Sequence, residues 1–97
     1  MRIVISNPDS IGDVVLRQPM FAALQKAGHE LMLIVRTFVG PIARMAAPKA
    51  RILHCGTNPY APGFDPEAPA IRWMVDEIRS FAPDTVVVAP YQRTLLD

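Results

Sequence analysis

Asp13 is the residue best placed to do chemistry, and its setting gives it two readings. It stands three residues after Ser10, and apolar residues begin to recur just beyond it. Ser10 can cap a helix there, and an acidic residue three places on completes a capping box. The same carboxylate could instead take a proton from an attacking hydroxyl as a general base. Asp9 shares the ambiguity, with a turn role the simpler one. The stretch Asn7–Asp13 holds one glycine, Gly12, so it contains neither G-x-G-x-x-G nor G-x-x-x-x-G-K-S/T. A pyrophosphate favours a bare helix N-terminus, and two carboxylates already occupy this one. A hydroxyl-bearing ligand suits it better, since a carboxylate accepts the hydroxyl hydrogen.

Arginines come next. Arg36 closes an apolar run and Arg93 follows another, so both should reach the sheet edge that carries Asp13. Their forked guanidinium groups suit phosphate or carboxylate, although solvated strand-end charge is the simpler reading. Arg17 lies at i+4 from Asp13, where it can pair on the helix surface or steer an anion. His29, His54 and Cys55 show no metal-ligand spacing, and all three read as structural. Met20, Met32, Met45 and Met74 read as core filler. Trp73 reads as a cover for the sheet, and Tyr60 and Phe64 as lid or ligand contacts.

These residues need elements to hold them. Arg2–Ser6, Glu30–Arg36, Arg51–Cys55 and Thr85–Ala89 are short β-branched or apolar runs. The second and fourth read as strands buried on both faces, as in parallel sheets. Helices are expected over Ile11–Ala27, Thr37–Ala47 and Glu67–Phe81. Pro19 should kink or split the first, and Gly28 should end it. Residues 56–66 carry three of the ten prolines and read as a long loop. Thr94–Asp97 could begin another helix. Alternation of strand and helix implies right-handed crossovers and an α/β, Rossmann-like parallel sheet of about four strands, ordered 3-2-1-4, with helices on both faces.

Composition bounds the rest. Ninety-seven residues, 51% hydrophobic and 20% charged, fit one domain, and the whole chain 1–97 is expected to form it. The apolar content excludes a disordered chain. No apolar run approaches the roughly 20 residues of a membrane span. A formal net charge of +1 does not suggest nucleic-acid binding. One cysteine excludes a disulfide framework. No secretory signal opens the chain, which reads as cytoplasmic.

Arg2–Leu24 resembles the amino terminus of family 9 glycosyltransferases, the ADP-heptose:lipopolysaccharide heptosyltransferases. The shared features are a strand, a Ser-bearing turn, Gly12-Asp13-Val14, Leu16-Arg17-Gln18-Pro19, and the Ala22-Ala23-Leu24 helix. Ala27–Leu31 resembles the turn into the second strand, and Pro83–Val88 the family's acidic-then-apolar fourth strand. Two features depart from the family. Ala89–Arg93 lacks the acid and glycine usual after that strand, and Arg17-Gln18 replaces smaller residues.

The resemblance implies the acceptor-side, amino-terminal half of a GT-B fold, with Asp13 as general base of an inverting transfer. Ser10, Gly12, Arg17, Arg36, Gln92 and Arg93 would then contact the acceptor. The donor would be a nucleotide sugar such as ADP-heptose, held by a carboxy-terminal domain outside this chain. The acceptor would be a glycolipid or other anionic sugar, with the protein at most peripheral to the inner membrane. No metal or other cofactor is expected. Because a two-domain cleft does not fit in this length, the chain alone is expected to be inactive. Two other readings remain open. One is a stand-alone or degenerate binding module without catalysis. The other is a nucleotide-binding regulator of flavodoxin-like type.

Overall fold

A computed structural model describes residues 1–8, 11–59 and 61–89. Four strands form one parallel sheet: β1 (Arg2–Ser6), β2 (Glu30–Arg36), β3 (Arg51–Cys55) and β4 (Thr85–Val88). Their order is β3-β2-β1-β4, as the alternation predicts. Between them lie α1 (Ile11–Leu16), α2 (Gln18–Lys26), a 3₁₀ turn (Thr37–Val39), α3 (Gly40–Ala46) and α4 (Pro69–Phe81). Helices flank a small parallel sheet, the arrangement of a Rossmann-like α/β fold.

Strand alternation divides the core in two. Ile3 and Ile5 of β1 and Leu31, Leu33 and Val35 of β2 face Val14, Phe21 and Ala43 from α1, α2 and α3. Val4, Met32, Ile34, Leu53 and Cys55 face Ile71, Met74 and Phe81 of α4 on the other side. Central β2 buries five consecutive residues, as expected of a strand covered on both faces.

The single helix expected over Ile11–Ala27 is two helices. Pro19 lies in the first turn of α2, where its missing N–H costs nothing, and Arg17 stands at the N-cap position without a side-chain capping bond. Gly28, at φ 90°, ends α2. His29 N donates to Leu24 O and Gly28 N to Gln25 O, the paired bonds of a Schellman end. Helix α4 starts at Pro69 rather than Glu67, because Ala68 before the proline is extended at ψ 146°. The 3₁₀ turn takes the start of the helix expected at Thr37.

Three expectations about burial fail. Among the described residues β4 is an edge strand: Val86 is 53% exposed and Val88 38%. The described residues leave its α4 side as a groove with Val75 and Ile78 on the opposite wall. Met45 is 76% exposed and Trp73 54%, because both lie on helix faces turned away from the sheet. Phe64, expected as a lid or ligand contact, is half-buried and packs against the α4-side core. Tyr60 and the helix start suggested at Thr94–Asp97 lie outside the described residues. No helix among the described residues is long and apolar enough to cross a membrane.

Candidate functional site

Strand order reverses beside β1. The chain steps from β1 to β2 to β3 in one direction, then returns to place β4 on the other side of β1. In open α/β sheets, such a reversal of strand order marks the place where ligands bind outside the carboxyl ends of the strands. Asn7 and Pro8 leave β1 there, and α1 begins at Ile11.

Gly12 and Asp13 occupy the first turn of α1; Gly12 is exposed and Asp13 half-buried. Val14, fully buried against both neighbouring helices and the sheet, anchors that turn. Position 13 is thus held next to a core residue while staying open to solvent. Ser10 lies outside the described residues, as do Gln92 and Arg93.

Arg17 is half-buried at the break between α1 and α2. Its Nη1 donates to the main-chain oxygen of Asp13 at 3.1 Å. Its Nη2 donates to the main-chain oxygen of Ala89, just past β4. These contacts make Arg17 a strut between α1 and β4. The expected i+4 neighbour is reached at its backbone oxygen.

Arg36 ends β2, and its guanidinium carbon lies 5.0 Å from the ring centroid of Phe38. Its Nε is buried without a hydrogen-bond partner. Phe38 is 55% exposed. Its position follows from its neighbours in the 3₁₀ turn. Val39 is fully buried, and Gly40 lies so close under His54 that a Cβ there would stand 2.5 Å from Cε1 of the imidazole. With 39 and 40 pinned inward, Phe38 is turned out beside Arg36.

The histidines are structural in their contacts. His54 fills the space over Gly40 and lies 3.4 Å from Arg44 through Nε2. His29 meets the amino terminus at the opposite edge of the sheet. The Cys55 thiol is buried and donates to Thr57 O at 3.3 Å. Among the described residues, no group of three or more His, Cys, Asp or Glu side chains is placed to hold a metal ion.

Two features of this edge had weak sequence signals. Asn7 is fully buried, and neither its Oδ1 nor its Nδ2 has a hydrogen-bond partner. In sequence it reads only as a turn former. Phe38 reads as an apolar residue of a short helix, and nothing local marks it as exposed. The structure therefore brings Asp13, Arg17 and Asn7 to the β1 side of the carboxyl edge and Arg36 with Phe38 to the end of β2. No protein-family model, no curated protein and no solved structure matches the chain.

Proposed function

We propose that this domain is the acceptor-side part of an inverting glycosyltransferase that moves a sugar, heptose by resemblance, from a nucleotide sugar to an anionic sugar acceptor. One observation carries the reading. Asp13 stands half-buried on the first turn of α1, at the carboxyl edge of the sheet beside the reversal of strand order. That is where α/β sheets receive ligands, and a carboxylate there can meet a hydroxyl.

The chemistry is one displacement. An Asp13 carboxylate oxygen accepts the proton of the acceptor hydroxyl as that oxygen attacks the anomeric carbon. The bond from that carbon to the donor's phosphate oxygen breaks, and the nucleoside diphosphate leaves with the electron pair. Configuration at the anomeric carbon inverts. Arg17 supports Asp13 by tying the turn to β4, and Arg36 supplies a cation for the acceptor's anionic group. A second domain, of the GT-B kind, would hold the donor and the diphosphate.

The test is transfer by the protein as its host produces it. With ADP-heptose and a deacylated lipopolysaccharide core as substrates, a product of inverted anomeric configuration by NMR is expected. Absence of transfer with ADP-heptose and other nucleotide sugars would reject the reading.

A further inference from the structure

We infer that Arg36 and Phe38 form a subsite for a pyranose ring bearing a carboxylate or phosphate, with Phe38 as a specificity-determining residue. The inference rests on the sugar-transfer reading and gives it a second contact. Three observations combine. Phe38 exposes more than half its surface. Arg36 covers one side of the ring at 5.0 Å from its centroid. The buried Nε of Arg36 has no partner, so no protein acceptor competes there for the guanidinium.

An exposed aromatic ring beside a cation matches a ligand that is apolar on one face and anionic at one edge. A pyranose has such a C–H face, and it can lie against the exposed edge of the Phe38 ring, beside the guanidinium. Its carboxylate or phosphate would then meet the two Nη groups of Arg36, which take two oxygens at once. The cation also strengthens the site without flexing, because Arg36 is already stacked on the ring. Rigid support comes from Val39 and from Gly40 beneath His54. The site lies at the carboxyl end of β2, on the edge that carries Asp13.

NMR titration of the 97-residue chain with four probes tests this: glucuronate, glucose 6-phosphate, glucose and inorganic phosphate. The first two should shift the Phe38 ring protons and the Arg36 Nε–H together. Glucose and inorganic phosphate should each bind about tenfold or more weakly. Phe38→Leu and Arg36→Gln should each weaken glucuronate and glucose 6-phosphate by about tenfold. Arg36→Lys should recover only part of the loss. Phosphate binding as tightly as glucose 6-phosphate would reduce the site to a bare anion contact and overturn the inference. So would unchanged affinity in Phe38→Leu, or no shift at either residue. Binding is read without turnover, so failure here leaves the role of Asp13 standing. Loss of the Asp13 role would in turn leave this subsite standing.

Discussion

Arg17 donates to the carbonyl oxygen of Ala89, a residue 72 positions along the chain. The same guanidinium donates to the carbonyl of Asp13. One side chain thus joins the turn that carries the candidate base to the end of the fourth strand. The bond spans the place where strand order reverses, between β1 and β4.

Removing that strut should loosen both ends. Arg17→Leu keeps the stem and deletes two charge-assisted hydrogen bonds, each typically worth about 1.5–3 kcal/mol at full strength. Half-exposure reduces this, and a loss of about 1–2 kcal/mol is expected in urea denaturation. Arg17→Lys should recover less than half, because an ammonium cannot fork to two carbonyls. A Lys variant as stable as the wild type would show that charge alone matters.

Gly40 is fixed by its neighbour. A Cβ at this position would stand 2.5 Å from His54 Cε1. Gly40→Ala should therefore destabilise the fold by about 1–3 kcal/mol, the range for overpacking. Combining it with His54→Ala should cost less than the sum of the two single changes, since the clash disappears. Additive losses would mean that the imidazole is not what excludes the methyl group.

Ala82 ends α4 in the left-handed region at φ 52°. Such a conformation costs an L-residue roughly 1–2 kcal/mol, part of which glycine gives back in backbone entropy. Ala82→Gly should raise stability by about 0.5–1 kcal/mol, read as a higher melting temperature. A lower one would show that the entropy of glycine outweighs the relieved strain.

Asn7 presents the opposite case. Its carboxamide is fully buried with both polar atoms unpartnered. Leucine has the same branching and the same number of side-chain heavy atoms and carries no unmet donor or acceptor, a deficit that costs about 1–3 kcal/mol. Asn7→Leu should unfold at higher urea concentration than the wild type. A lower midpoint would reveal a partner that the amide needs.

Much of the architecture was legible because it is local. The unbroken apolar run of β2 signals burial on two faces, Pro19 signals the break before α2, and Gly28 signals its end. What periodicity does not convey is which apolar face gets covered. Val86 and Val88 read like Leu33 and Val35, yet they lie on an edge strand and stay exposed. Met45 and Trp73 fail for the same reason. In the site, the placement of Asp13 on a first helical turn was readable from Ser10, Gly12 and the apolar spacing. The Arg17–Ala89 bond was not, because it depends on β4 lying beside β1. Nor was the exposure of Phe38, which depends on His54 resting on Gly40.

The most direct test of the central claim is turnover of Asp13→Asn in the protein as its host produces it, with its far-ultraviolet circular dichroism checked against the wild type. The account predicts an unchanged fold and a rate lower by about 10²–10⁴, the usual worth of a general base. Near-normal turnover with the fold intact would contradict it and leave Asp13 as a helix-capping residue.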